Sequence, residues 1–201
     1  MSRRRVVVVS AGLSSPSSTR LLADRLAAAT AQALAGRGVE TELEVVELRD
    51  VAHELTDHLL TGFPSARLRA ALDAVAAADG VIAVSPVFSA SYSGLFKTFF
   101  DVLDRDALDG TPVLVAATAG SARHSLVLEH ALRPLFTYLR AVVVPTAVFA
   151  ASEDWAGPGA LVDRVERAAR ELVALVAARE PQAAADPYED ASAFERLLAG
   201  S

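Results

Sequence analysis

Cysteine is absent from the chain. Its absence excludes a disulfide framework, thiolate catalysis and any zinc or iron–sulfur centre held by cysteines. Lysine is nearly absent too: of 19 basic residues, only Lys97 is not an arginine. Against them stand 25 acidic residues, for a formal charge of −6 and a pI near 5.2. That balance argues against nucleic acid or an anionic membrane as partner. No apolar run approaches the roughly 20 residues that span a bilayer. Arg3-Arg4-Arg5 and the valines at 6–9 have the outline of a secretion leader, but four apolar residues fall short of the ~7–15 such a segment needs. A basic lead-in to a buried strand explains them better, and the expected location is cytoplasmic. What the chain does have is apolar bulk, 52% of 201 residues with a mean hydropathy of +0.33. Disorder of the bulk is thereby excluded, and the length is about that of one domain.

The valine run at 6–9 is bounded by Ser10-Ala11-Gly12, as a strand buried on both faces would be. Residues 81–84 and 112–118 read the same way. Residues 40–48 alternate polar and apolar, the pattern of a half-exposed edge strand. A fifth strand over 142–149 is interrupted by Pro145. Between them the spacing predicts a helix capped at Pro16-Ser17-Ser18, with Leu21, Leu22, Leu26, Ala29 and Leu34 on one stripe and Gly36 and Gly38 at its end. Further helices are predicted over 66–78, 94–103, 124–140 and 159–179; residues 51–64 carry no clear pattern. Alternating strands and helices give a parallel sheet covered on both faces. Five strands fit a three-layer α/β sandwich of the flavodoxin-like kind, with strand order 2-1-3-4-5. This domain is expected over 1–180, followed by a tail at 181–201 with room for a short docking helix at 191–198.

In such sheets ligands sit outside the carboxyl ends of the strands, near the switch in strand order. The first loop there is Ser10-Ala11-Gly12-Leu13-Ser14-Ser15-Pro16-Ser17-Ser18-Thr19. It contains neither G-x-G-x-x-G nor a Walker A sequence. It is a hydroxyl-rich run into a helix N-terminus, where free N–H groups and the helix dipole favour a phosphate. Capping needs only one of these hydroxyls. The second loop begins Ser85-Pro86-Val87-Phe88-Ser89-Ala90-Ser91-Tyr92-Ser93-Gly94 and suits a flat ligand or an ordinary connection equally well. The third, Thr118-Ala119-Gly120-Ser121-Ala122-Arg123-His124, has small residues that allow close backbone approach. His124 there is better explained as a cap or packing residue than as a catalyst.

At these loops the sequence resembles the NAD(P)H-dependent FMN reductases of flavodoxin-like fold, and among them the reductase partners of two-component, luciferase-like monooxygenases. Pro86-Val87-Phe88-Ser89-Ala90-Ser91-Tyr92-Ser93-Gly94-Leu95-Phe96-Lys97-Thr98 resembles that family's P-V-Y-x-x-x-Y-S-G-x-x-K-T stretch. Thr118-Ala119-Gly120-Ser121 with His124, then Ala131-Leu132-Arg133-Pro134, resembles its T-G-G-T…H…A-L-[KR]-P segment. Pro16-Ser17-Ser18-Thr19 matches more loosely. The resemblance implies that Ser10, Ser17, Ser18 and Thr19 hold the FMN phosphate. Pro86, Val87, Phe88 and Ser89, with Thr118, Ala119, Gly120 and Ser121, would edge the ring and ribityl chain. The family often has arginine where Ser14 and Ser15 stand, leaving amides, hydroxyls and Arg20 to meet the phosphate charge. Phe88 replaces a usual tyrosine.

The implied reaction is hydride transfer from NADH or NADPH to FMN, with reduced flavin passed to a partner monooxygenase. It needs stacking and proximity rather than a side-chain acid or base, so no catalytic residue is assigned. The alternatives are a reductase that retains FMN and serves a quinone, azo dye or metal oxyanion, and a flavodoxin-type electron carrier. A homodimer or homotetramer is expected, with Phe96, Phe99 and Phe100 at the subunit interface. His53 and His58 lack flanking carboxylates at metal-ligand spacing, so no metal site is assigned. No G-x-S-x-G elbow occurs. Trp155, beyond the last strand, is a candidate lid over a neighbouring site.

Overall fold

The valine runs occupy the centre of a parallel sheet in the computed structural model, which describes residues 3–155, 157 and 159–179. β1 (Arg3–Ser10) is followed by α1 (Ser18–Ala35) and the edge strand β2 (Glu40–Glu47). Next come a short 3-10 turn, α2 (Ala52–Thr61), α3 (Ala66–Ala76) and β3 (Gly80–Phe88). β4 (Ser91–Tyr92) folds back on β3 before α4 (Gly94–Asp101) and β5 (Pro112–Ala119). Then α5 (Arg133–Tyr138), β6 (Val142–Val143), β7 (Val148–Ala151) and α6 (Ala160–Ala178) complete the described chain.

The order across the sheet is β2-β1-β3-β5-β6, with β7 also pairing in parallel with β5. This matches the expected 2-1-3-4-5 once the antiparallel β4 is set aside and β6 and β7 count as one strand. Pro145 separates those two because proline has no N–H to give to a ladder. Along β1 the pleat sends Val6 and Val8 to one face, against α1 and α6, and Val7 and Val9 to the other. All four are fully buried.

Two expectations need correction, and one stretch left open is resolved. The helix predicted over 124–140 is a 3-10 turn (Ala122–His124), a wide π turn (Leu128–Leu132) and the short α5. Pro134 lacks the N–H that would bond the His130 carbonyl, and its ring crowds that carbonyl, so the chain widens just before it. The patternless stretch at 51–64 holds α2, of which only Leu55 is buried; a helix that covers little presents little periodicity. Finally, Phe96, Phe99 and Phe100 are not interface residues but core. At i, i+3 and i+4 they share one helical face, which α4 turns inward. Each is at most 2% exposed, and Phe100 packs tilted at 4.7 Å against Phe96 and edge-on at 4.8 Å against Phe136 from α5. The helix expected at 191–198 lies outside the described residues.

At the amino end of the sheet, Arg4 meets Asp79 at 3.1 Å with both side chains buried. Asp79 also accepts the Arg5 N–H at 2.8 Å, and Arg4 donates to the Arg179 carbonyl at the end of α6. The pair ties β1, the turn before β3 and the last helix together, at the opposite end from the loops of interest.

Candidate cofactor cleft

The carboxyl ends of β1, β3, β5 and β7 open onto one cleft of about 450 Å³. The first wall is the loop into α1. Ser17 is extended (φ −119°) and its Oγ accepts the Arg20 N–H at 3.2 Å. The first helical bond runs from Leu21 N–H to the Ser17 carbonyl, so the N–H groups of Ser18 and Thr19 have no helical acceptor. They stand at the positive end of the α1 dipole. Gly12 makes this packing possible: a Cβ there would lie 2.1 Å from Ser17 Oγ.

Thr19 is 3% exposed, and its hydroxyl shares a 2.8 Å hydrogen bond with that of Thr118 at the end of β5. Two hydroxyls bring two protons; one lies in their mutual bond and one is left to donate to a ligand. The pair therefore joins the first wall to the third and stays competent to bind.

The second wall presents Pro86, Val87 and Phe88. Ser85, fully buried, accepts the Ser93 N–H at 2.9 Å, and Ser93 in turn caps α4 by accepting the Phe96 N–H at 3.2 Å. These hydroxyls staple the loop from beneath. Phe88 remains 47% exposed. Beyond it, Ser89 and Ala90 turn the chain with φ of 48° and 67°, values that L-residues adopt at a cost.

The third wall is Thr118, Ala119 and Gly120, and a fourth is formed by Ser152 and Trp155 from the turn after β7. Asp154 holds that turn, accepting from the Ala151 N–H and from Arg164, each at 2.8 Å. Burial opposes its ionisation, but the Ala151 N–H and Arg164 outweigh burial, and the carboxyl titrates below its ordinary range.

Of the twelve residues singled out from sequence, nine line the cleft: Ser17, Ser18, Thr19, Pro86, Val87, Phe88, Thr118, Ala119 and Gly120. Three do not. Ser10 is fully buried at the end of β1, and its hydroxyl has no hydrogen-bond partner among the described residues. Ser89 sits in the exposed turn behind Phe88. Ser121 accepts the Arg123 N–H at 3.3 Å and so caps a short turn. Leu13 and Ser14 join the wall as well, as do Ser152 and Trp155, the tryptophan expected as a lid over a neighbouring site. The last two belong to a strand-end loop that shares the same sheet edge, which is the signal that points to them.

Among the described residues, none that lines the cleft carries a charge. Arg20, the cation the sequence offered for a phosphate, is instead held by Glu47 at 2.6 Å and Asp24 at 2.7 Å. The hydrogen bond to Glu47, then that to Asp24, raises its pKa further. His124 is exposed and outside the wall.

A parallel sheet of this order, with a neutral hydroxyl-lined cleft at a helix N-terminus, defines a flavodoxin-like nucleotide-binding protein. Residues 4–156 match the family model described as NADPH-dependent FMN reductase. The chain is 42% identical over 151 residues to an FMN reductase (NADPH) of Pseudomonas aeruginosa, covering 75% of this chain and 78% of the other. It is 38% identical to the NADH-dependent FMN reductase SfnE of Pseudomonas putida over 177 residues, 86% of this chain and 92% of that one. An oxidoreductase structure from Corynebacterium diphtheriae superposes with a TM-score of 0.87 at 48% identity, covering 90% of this chain and all of that one. The apo form of the NADH:FMN oxidoreductase EmoB gives 0.77 at 27% identity, covering 94% and 98%. The chain belongs to the NADPH-dependent FMN reductase family. It is an oxidoreductase that pairs a reduced nicotinamide with FMN, which sets aside the reading as a passive electron carrier.

Proposed function

We propose that FMN occupies this cleft, is reduced there by NADH or NADPH, and leaves as reduced flavin for a partner monooxygenase in the cytoplasm. Ser17, Ser18 and Thr19 would hold the phosphate. Pro86, Val87 and Phe88 on one side and Thr118, Ala119 and Gly120 on the other would hold the ring and ribityl chain. The residues fit the group: two free N–H groups at a helix start, a hydroxyl pair with one proton to give, and an apolar wall for a flat ring. Bound FMN supplies the hydride acceptor. The chain's own part is to orient the two nucleotides, since among the described residues no side chain in the cleft wall is an acid or base near neutral pH.

The observation that carries release rather than retention is the uncharged wall. A phosphate that meets only neutral donors in the wall keeps its hydrogen bonds but gains no ion-pair attraction there, and is held less tightly than one that also faces an arginine or lysine. A homodimer or homotetramer is proposed with it, and Leu60, Phe63 and Tyr138, each more than 80% accessible, are the apolar side chains such an assembly could cover.

The test is anaerobic reduction with excess nicotinamide followed by rapid ultrafiltration. Reduced FMN should appear in the filtrate, and FMN should bind more tightly than FAD because the cleft has one phosphate site. Flavin that stays with the protein through turnover would instead favour the retaining quinone, azo or metal-oxyanion reductase.

A further inference from the structure

The cleft proposed to receive phosphate-bearing nucleotides has no cation in its wall among the described residues, yet one guanidinium stands a single ring away from it. Arg25 lies over the Trp155 indole, its Cζ 4.9 Å from the ring centroid, and Trp155 lines the cleft. Arg25 is exposed, and no carboxylate comes within ion-pair distance of it among the described residues. Its helical neighbours at i±3 and i±4 are Leu21, Leu22, Ala28 and Ala29, so no acid on α1 competes for it.

Three other guanidiniums around the cleft are committed, while Arg123, in the loop after Gly120, is exposed and forms no ion pair among the described residues. Arg20 is divided between Asp24 and Glu47. Arg49 donates to the Ser14 carbonyl at 3.2 Å and sits beside Asp50. Arg164 is occupied by Asp154 and by the Phe149 carbonyl. Arg25 differs from all of these in resting on an aromatic face, a mode of holding that positions the guanidinium and leaves its N–H fork open to a ligand. Its place also suits the task. Ser18 and Arg25 are seven residues apart, two turns on nearly the same side of α1, and helical side chains lean toward the N-terminus, where Ser17, Ser18 and Thr19 present their donors. The indole is itself fixed: Asp154 locks its turn through Ala151 and Arg164.

We propose that Arg25, seated on Trp155, is the cationic rim of this cleft and engages a phosphate oxyanion of a nucleotide that enters it. The proposal rests on the reading of the cleft as the FMN and nicotinamide site. The shared chemistry is phosphate, and it has two sources there: the 5′-phosphate of FMN and the phosphates of the nicotinamide dinucleotide. In this chain the phosphate loop has serines at 14 and 15 and a neutralised Arg20, so Arg25 supplies from α1 the charge that the loop lacks.

The experiment compares wild type with Arg25→Gln and Arg25→Lys, at low and at moderate salt. Trp155 is the only tryptophan, so its quenching reports binding of FMN and of riboflavin, which has no phosphate. An exposed charge–phosphate contact predicts a roughly threefold to tenfold loss of affinity in Arg25→Gln at low salt, shrinking as salt screens it and partly rescued in Arg25→Lys. Loss for FMN with riboflavin spared assigns the flavin phosphate. Unchanged FMN affinity with a raised KM for NADPH or NADH assigns the dinucleotide. Unchanged FMN affinity together with unchanged KM for both nicotinamides overturns the proposal while leaving the cleft reading intact, and so does equal loss for FMN and riboflavin. A wild-type protein that binds neither FMN nor nicotinamide overturns both.

Discussion

Gly12→Ala should weaken FMN binding by more than tenfold while leaving the protein folded. The new methyl carbon would lie 2.1 Å from Ser17 Oγ, 3.1 Å from Ser17 Cβ and 3.2 Å from Thr19 Cβ. Two residues proposed to hold the phosphate would have to move together, and Thr19 cannot move without disturbing its bond to Thr118. Losing hydrogen bonds to a charged group costs about 1.5–3 kcal/mol each, and tenfold corresponds to roughly 1.4 kcal/mol. The fold loses at most the α1 cap, about 0.5–2 kcal/mol. Titration of flavin fluorescence, with circular dichroism as the control, measures both. Wild-type affinity in Gly12→Ala would place the phosphate away from this loop.

Asp79→Ala should do the reverse: lose much stability and leave the cleft untouched. Its side chain and that of Arg4 are 8% and 6% exposed and 3.1 Å apart. Removing the carboxylate strands a buried guanidinium whose Nε already lacks a partner and frees the Arg5 N–H. Breaking a buried pair from one side costs about 3–5 kcal/mol, a large share of the 5–15 kcal/mol typical of a domain. Replacing both Arg4 and Asp79 by apolar residues should recover most of the loss. Urea unfolding measures this as a lower midpoint at unchanged slope. FMN affinity of the folded variant should match wild type, because Asp79 precedes β3 and the cleft lies at the far end of that strand. A midpoint shift worth less than about 1 kcal/mol would show the pair to be dispensable.

The central strands were legible because burial on both faces leaves an unbroken apolar run, as at residues 6–9 and 81–84, with few alternatives in a chain of this length. The parallel sheet followed from the alternation of strands and helices, and the order from the fit of five strands to a flavodoxin-like arrangement. Ser17, Ser18 and Thr19 were legible for a similar reason: a loop with far more hydroxyls than capping requires has another use for them. What was hidden depends on contacts distant in sequence. The spacing of Phe96, Phe99 and Phe100 says that they share a face, but only the arrival of Phe136 from α5 shows that the face is inward. Ser10 looks like its loop neighbours in composition, yet the pleat of β1 places its hydroxyl in the interior. Arg20 reads as a phosphate partner until β2 brings Glu47 to it, 27 residues away. Trp155 reads from sequence as a lid over a neighbouring site, and only the arrival of β7 on the same sheet edge as β1 shows which cleft it lines.

The most direct test of hydride transfer at this cleft is anaerobic mixing of the protein and FMN with NADH or NADPH, following loss of the flavin's visible absorbance as pH is varied. With no acid or base in the cleft wall, bleaching should occur and its rate should stay flat between about pH 6 and 9. No bleaching with either nicotinamide, or a bell-shaped rate profile across that range, would contradict the account.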